Sequence, residues 1–460
     1  MSNPFVIITL GPTGAGKSRL VEKTIEDCGL AERAGPIETF PVFRVDDLVT
    51  QRQEYKDAIT NLSPPPQISR QQTAYEDFAD TYSSFMTNMG IAYLNSRKKQ
   101  RCYNETDEAI FTPDSRKDHD RFYKIIIKVL EKKISKAKTE IDELQQKQKT
   151  QDLEEKEKEK IKEKIEKETK ELKNLEQELQ ENKTKSKSEG EMLDSSTKTM
   201  NEKTVNKLIT AVTTALTPYD CTKINDLKIL RAISKGISFS FEITGQFYPK
   251  HYLSWFQTAK KEYPKELNYD IYISGVFVPS FSELLKRNLS RFKQESEKYK
   301  NQSANSAPRL PDLTHIMHDN IETIIKNIKK MHGIMIVPQN EENITRMLLY
   351  SNIDKETGLR CEFDSLNELA NKNINEAVDL LYNIKEQSQE TVAKDFYRDS
   401  FSKVLKDMSS PPPVRILGSI RIGGRRRTSK TYKQRRRTQK KRNNKRNYNT
   451  KKTRNKRRKR

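Results

Sequence analysis

Short apolar runs alternate along the chain with segments whose apolar residues have helical spacing. Phe5–Leu10 is an apolar run that predicts a buried strand, and a helix that starts near Ser18 is predicted after it. Further strands are predicted at 41–45, 236–241, 271–277 and 346–350. Helices are predicted at 71–93, 205–216, 227–234, 251–261 and 281–298, in a segment after 309 that ends near 331, and twice more towards the C-terminus. This alternation predicts an α/β fold with a doubly wound parallel sheet of about five strands and right-handed crossovers.

A long segment rich in Glu and Lys, from about 122 to 183, contains no Gly or Pro. Its apolar positions form two blocks, 134–144 and 161–179, with the three- and four-residue steps of a coiled coil. A polar stretch separates them. This pattern favours an antiparallel helical hairpin with its tip near 148–152, inserted between the second and third strands. One long helix in an intermolecular coiled coil is the alternative.

The positive charge of the chain is concentrated in its C-terminal segment. The 460 residues are 33% hydrophobic and 33% charged, and their formal net charge is +23. Residues 421–460 contain 22 Lys or Arg and no Asp or Glu, and subtracting these 22 charges from +23 leaves +1 for residues 1–420. A segment with so many cations cannot bury a core and is predicted to be disordered.

These patterns predict four regions. The N-terminal part of the α/β core covers 1–120, and the coiled-coil insertion covers 121–185. The sheet pattern then resumes, so the C-terminal part of the core, with a lid and C-terminal helices, covers 200–408. A disordered basic tail covers 409–460.

Cysteine spacing and hydropathy bear on the compartment. Cys28, Cys102, Cys221 and Cys361 form no C-x-x-C pair, which argues against a zinc site or a disulfide framework and suits a reducing compartment. No apolar run is long enough to predict a transmembrane helix, and no signal-peptide pattern is present. We therefore expect an intracellular, cytoplasmic protein, with nuclear or virion association as alternatives.

Residues 11–18, GPTGAGKS, fit the phosphate-binding pattern G-x-x-x-x-G-K-[ST]. The segment joins a predicted strand to a helix N-terminus, where backbone N–H groups and the helix dipole favour phosphate. Lys17 is expected to reach the β- and γ-phosphates, and the Ser18 hydroxyl suits Mg²⁺. The sequence thus predicts binding of a nucleoside triphosphate, ATP with Mg²⁺. The residues predicted to hold it are Gly11, Pro12, Thr13, Gly14, Ala15, Gly16, Lys17 and Ser18.

Carboxylates at the carboxyl ends of strands are candidates for catalysis, because functional groups collect at that edge of a doubly wound sheet. Asp46 and Asp47 end the second predicted strand, and Glu242 ends the third. A carboxylate there can take a proton from a hydroxyl, bind a substrate hydroxyl or hold Mg²⁺ through water. For the two aspartates, a role as helix N-cap is the alternative.

Three arginines form a candidate lid. Arg287 and Arg291 are four residues apart and share one helix face, and Arg309 follows in a Pro-flanked loop. Cations in such positions can stabilise the charge on a migrating phosphoryl group. The arrangement is typical of small-molecule kinases, and a role as a solubilising surface residue is the alternative for Arg287.

The motifs GPTGAGKS at 11–18, VDDL at 45–48 and FEITG at 241–245, with the lid arginines, resemble zeta-toxin-type kinases of the P-loop NTPase superfamily. Those enzymes phosphorylate a sugar hydroxyl of a UDP-linked amino sugar. The resemblance covers roughly residues 4–60 and 235–350. The coiled-coil insertion is foreign to the compact toxins, and the strand around 348–352 has no carboxylate, so the bacterial substrate is not assumed for this chain.

The resemblance also implies roles for individual residues. Asp46 takes the place of the general base, Glu242 and Thr244 those of the substrate contacts, and Arg291 and Arg309 those of the lid arginines. Asp47 and Arg287 are further candidates for binding the substrate.

Three functions are compatible with these features. The first is an ATP-dependent phosphotransferase that acts on a small-molecule or nucleotide hydroxyl. The second is a non-catalytic ATP-binding scaffold that binds a protein partner through its coiled coil, and the third is a nucleic-acid-associated ATPase. The tail, 421–460, can bind nucleic acid, serve as a nuclear or packaging address, or contact anionic lipid. It also resembles the basic tails of many proteins of large cytoplasmic DNA viruses.

Overall fold

The computed structural model of the chain describes residues 3–12, 14–61, 88–102, 108–113, 115–150, 155–194, 216–246, 249–278, 281–301, 305–309, 318–335, 344–352, 358–366 and 373–381. The chain divides into two units, Met1–Ser409 and Ser410–Arg460, and every described residue belongs to the first. The predicted basic tail, most of the predicted helix 205–216, the first part of the predicted helix 71–93 and the last predicted helix lie outside the described residues.

A six-stranded, mostly parallel sheet forms the centre of the first unit, in the order β2-β3-β1-β4-β5-β6. The first five strands in this order are parallel, and β6 runs antiparallel to β5. The predicted parallel α/β sheet is thus confirmed. The strands are β1, Phe5–Leu10; β2, Val42–Phe43; β3, Phe239–Ile243; β4, Asp270–Phe277; β5, Ile344–Asn352; and β6, Leu359–Asp364.

The helices occupy the connections between these strands, as the crossovers of a parallel sheet require. They are α1, Lys17–Asp27; α2, Ala31–Ala34; α3, Val45–Gln51; α4, Gln53–Asn61; α5, Glu108–Phe111; α6, Arg116–Thr150; α7, Glu155–Asp194; α8, Cys221–Lys235; α9, Lys250–Glu262; α10, Phe281–Lys300; α11, His318–Met335; and α12, Ile374–Leu381. Residues 88–98 are helical as well.

The second and the last strand differ from the prediction. Only Val42–Phe43 pair with β3, and Val45–Gln51 form helix α3 instead of continuing the strand. Asp46 and Asp47 therefore lie in the first turn of a helix, where the dipole stabilises carboxylates, and the N-cap is Arg44. Helices alone are predicted after β5, but β6 follows it. The apolar residues of β6 alternate in the sequence LRCEFD, which is the period of a strand.

Helices α6 and α7 run antiparallel and lie between β2 and β3 along the chain, as the hairpin interpretation predicts. Lys138 Nζ lies 2.9 Å from Glu176 Oε1, and Lys183 Nζ lies 3.7 Å from Glu131 Oε1. That the two helices supercoil as a coiled coil stays a prediction. Among the described residues, these helices included, none belongs to a helix long and apolar enough to cross a membrane.

One pair of cysteines departs from the expectation that the chain has no disulfide framework. Cys102 and Cys221 are buried and form a disulfide, although 119 residues separate them. The bond joins the segment after the helical residues 88–98 to the first residue of α8. Spacing along the chain cannot reveal such a pair, because the sheet topology brings the two residues together.

Candidate active site

The carboxyl ends of the five parallel strands lie at one edge of the sheet, and the glycine-rich loop follows β1 there. Gly14 and Gly16 have φ values of 89° and 106°, in the region that L side chains rarely adopt. A Cβ atom on Gly14 would lie 2.6 Å from the side chain of Asn288, and one on Gly16 would meet the side chain of Asn352. The loop therefore requires glycine at both positions. Thr13 lies outside the described residues.

Two asparagines that were not among the predicted site residues pack on this loop. Asn288 lies on α10 and is buried against Gly14. Asn352 is the last residue of β5, and its Nδ2 donates a hydrogen bond to the Ala15 carbonyl at 2.8 Å. Its place at a strand end is a signal that the sequence does contain, because polar groups at that edge are often functional.

Lys17 begins helix α1 and turns back over the loop. Its Nζ donates hydrogen bonds to the carbonyls of Gly11 at 3.0 Å and Pro12 at 3.3 Å. Burial lowers the pKa of Lys17 below its usual value, and the nearby carboxylates of Glu242 and Asp46 oppose that shift. The ammonium group thus lies in the field of the predicted catalytic carboxylates.

Asp46 is held by two groups, one at each carboxylate oxygen. Tyr93 Oη donates a hydrogen bond to Asp46 Oδ1 at 2.6 Å, and Arg309 Nη1 forms an ion pair with Asp46 Oδ2. The guanidinium of Arg309 also lies 3.9 Å above the centre of the Tyr93 ring, which is cation–π distance. Burial acts to raise the pKa of Asp46, but Arg309 and the Tyr93 hydrogen bond outweigh it and hold the pKa below its usual value. Asp46 is therefore ionised at neutral pH.

The loop that carries Arg309 is anchored on both sides. Tyr55 Oη donates to the Pro308 carbonyl at 3.1 Å. On the other side, Glu295 of α10 accepts a hydrogen bond from Arg291 Nε at 2.6 Å and from the backbone N–H of Arg309 at 3.4 Å. Glu295 thus links the two predicted lid arginines, and the loop holds Arg309 close to Asp46.

A cluster of three charged side chains, Arg44, Asp47 and Glu242, lies beside Asp46. Arg44 Nε donates to Glu242 Oε1 at 2.6 Å, and Arg44 Nη1 lies 3.8 Å from Asp47 Oδ2. Burial raises the pKa of Asp47, and the neighbouring Glu242 and Asp46 carboxylates raise it further against the opposing effect of Arg44. Thr244, which follows β3, is exposed. This arrangement offers carboxylate oxygens that can accept hydrogen bonds from hydroxyl groups of a ligand.

Direct contacts join only some of the predicted site residues, such as Asp46 and Arg309. Lys17 interacts electrostatically with Asp46, Glu242, Arg291 and Arg309. Arg287 is half-buried on α10 beside Asn288, and its role stays a prediction. Residues at the site that were not predicted are Arg44, Tyr55, Tyr93, Asn288, Glu295 and Asn352.

The described residues contain no group of three or more His, Cys, Asp or Glu side chains arranged to hold a metal ion. Mg²⁺ bound with a nucleotide usually takes most of its ligands from phosphates and water and only one or two from the protein. Ser18 is exposed in the first turn of α1, so its hydroxyl fits that requirement.

No protein-family model matches the chain, and no curated protein sequence matches it either. Among solved structures, the chain is similar to one from the PezAT chromosomal toxin–antitoxin system of the human pathogen Streptococcus pneumoniae. The two share 9% sequence identity over 88% of each chain, with a TM-score of 0.33. A similarity at that level carries no information about activity.

Proposed function

We propose that the chain is an ATP-dependent phosphotransferase that phosphorylates a hydroxyl of a small molecule or of a nucleotide-linked sugar. The observation that carries this proposal is the position of Asp46. It lies next to Arg309 and interacts electrostatically with Lys17 of the phosphate-binding loop. A base, a phosphate-binding lysine and an arginine gathered at one edge of the sheet are groups that phosphoryl transfer needs.

Each group has a defined part in the proposed reaction. The loop and Lys17 hold the phosphates of ATP, and Asp46 accepts the proton of the acceptor hydroxyl. The hydroxyl oxygen forms a bond to the γ-phosphorus as the bond to the β-phosphate oxygen breaks, and ADP leaves. Arg309 leaves Asp46 and binds the γ-phosphoryl oxygens together with Arg291. The two arginines so neutralise the negative charge that develops there during transfer. Mg²⁺ bound near Ser18 would supply further charge neutralisation on the phosphates.

The acceptor is expected to carry several hydroxyl groups. Glu242 and Asp47 lie beside Asp46, and Arg44 forms an ion pair with each of them. Carboxylate oxygens accept hydrogen bonds, so they favour hydroxyl groups over phosphates or carboxylates. Thr244 and Arg287 are further candidates for contacting this acceptor.

Measuring ATP turnover tests the proposal against its rivals. Lys17→Ala should abolish turnover, because it removes the one cation that belongs to the phosphate-binding loop. The wild type and this variant are assayed with a pool of small metabolites, with duplex DNA, and alone. Turnover that only the metabolite pool stimulates supports the phosphotransferase. Stimulation by DNA favours a nucleic-acid-associated ATPase, and no turnover under any condition favours a scaffold that only binds ATP.

A second proposed activity, binding of nucleic acid, belongs to residues 421–460. These 40 positions carry 22 Lys or Arg and no acid, so they neutralise phosphates and release counterions without reading sequence. We expect a chain that ends at Ser419 to keep its ATP binding and its circular dichroism spectrum but to lose DNA retention. Binding by the full chain should weaken steeply as salt rises from 50 to about 200 mM.

Equal DNA binding by both chains would place the polyanion site in residues 1–419 instead. The tail would then be better explained as an address or as a contact for anionic lipid. Vesicles with and without phosphatidylserine distinguish the lipid contact from the address.

A further inference from the structure

Tyr93 contacts both proposed catalytic groups. It lies in the helical residues 88–98, 6% exposed, with its ring perpendicular to that of Tyr55 at a centroid distance of 6.2 Å. The ring faces the guanidinium of Arg309, and the hydroxyl donates to Asp46. A buried tyrosine whose hydroxyl and ring serve two different partners is constrained in both position and rotation.

The two oxygens of Asp46 consequently have different partners. Oδ1 accepts the Tyr93 hydrogen bond, and Oδ2 is paired with Arg309. When Arg309 moves to a phosphoryl group, Oδ2 loses its partner and can accept a hydroxyl proton. The Tyr93 hydrogen bond to Oδ1 does not involve Arg309, so it can restrain rotation of the carboxylate when the ion pair opens.

We propose that Tyr93 is the positioning residue of this site: it holds Asp46 by Oδ1 so that Oδ2 faces the acceptor hydroxyl, and its ring supports Arg309. This proposal rests on the proposed function, because it takes Asp46 as the base. It assigns a role in the site to the segment between α4 and the helical hairpin, which contains none of the predicted motifs.

Tyr93 also determines how Asp46 titrates. A hydrogen bond donated to an ionised carboxylate stabilises the ionised form and lowers its pKa. The titratable and charged groups around Asp46 are Lys17 of α1, Asp47 of α3, Tyr55 of α4, Tyr93, Arg291 of α10 and Arg309, together with Glu242 of β3 and its partner Arg44. Tyr93→Phe removes one of these interactions and leaves the ring under Arg309.

The test compares Tyr93→Phe with Tyr350→Phe. Tyr350 is also buried and also donates its hydroxyl to an aspartate, Asp27 Oδ2 at 2.9 Å, but at the opposite end of α1 from Lys17. The pKa of Asp46 is measured by carbon NMR of carboxyl-labelled aspartate in the full chain, with Asp46→Asn assigning the signal. In parallel, kcat and KM for ATP-dependent transfer are measured across pH.

In Tyr93→Phe we expect the pKa of Asp46 to rise and the acidic limb of kcat/KM to move to higher pH by the same amount. We also expect kcat on the plateau of the pH profile to fall about ten-fold or more, because one charge-assisted hydrogen bond is lost. KM for ATP should be unchanged. Tyr350→Phe should change neither the pKa nor kcat.

An Asp46 signal that titrates identically in both variants would overturn the proposal, as would a ten-fold loss of kcat without any change in the pH profile. The NMR titration of Asp46 can be measured whether or not the protein transfers phosphate. If the wild type does not transfer phosphate, the proposed function fails, whereas an unchanged titration of Asp46 in an active enzyme contradicts only the role of Tyr93.

Discussion

Asp46→Asn is expected to lower the rate of phosphotransfer by about 10³-fold, within the usual contribution of a general base. The asparagine retains the shape of the side chain and can still accept the Tyr93 hydrogen bond, but it cannot take a proton. Because the base acts only in the chemical step, ATP affinity should stay within about two-fold. Single-turnover kinetics and calorimetric titration with ATP measure the two quantities separately.

The control for this variant is Asp47→Asn, which makes the same chemical change one residue further along α3. The Asp47 side chain is 54% exposed and lies near Arg44, without a hydrogen bond from Tyr93. We expect a much smaller loss of rate and a change chiefly in KM for the acceptor. If Asp47→Asn abolishes transfer and Asp46→Asn does not, the base has been assigned to the wrong member of the pair.

Arg309→Ala is expected to reduce transfer by about 10³-fold, the lower end of what an arginine at the γ-phosphoryl group contributes. The variant also removes the cation that lowers the pKa of Asp46 most, so that pKa should rise. A raised pKa means that Asp46 is protonated, and inactive as a base, at a higher pH than in the wild type. As the solution is acidified, the remaining activity of the variant should therefore be lost at a higher pH than that of the wild type.

Arg33→Ala is the matched control. Arg33 Nη2 lies 2.7 Å from Asp270 Oδ2, and its guanidinium lies 5.1 Å from the centre of the Phe5 ring. It thus repeats the pairing of Arg309 with an aspartate and an aromatic ring, but at the amino ends of β1 and β4. Equal losses in both variants would mean that Arg309 stabilises the fold and takes no part in the transfer.

Much of the core is predictable because its signals are local. The run Phe5–Leu10, the glycines of the following loop and Lys17 occupy consecutive positions, and the structure has a strand, a loop and a helix there. The parallel strands that follow are predicted by apolar runs between helical segments. The short β2 is an exception, since Val45–Gln51 has apolar residues that suit either a strand or a helix start.

The surroundings of Asp46 could not be predicted in the same way, because they depend on distant parts of the chain. Tyr93 lies 47 residues from Asp46, in a helix whose sequence has no motif. Arg44 and Glu242, 198 residues apart, meet only because β2 and β3 are neighbours in the sheet. Sequence patterns indicate which residues reach the strand ends, whereas the partners of each residue follow from the topology.

The most direct test of the central proposal is transfer of label from [γ-³²P]ATP to a pool of small metabolites by the wild type and by Asp46→Asn. We expect a labelled small molecule that retains its phosphate in alkali-stable ester form, produced by the wild type and absent with Asp46→Asn. Label that appears only as inorganic phosphate, or equal labelling by both proteins, would contradict a phosphotransferase in which Asp46 is the base.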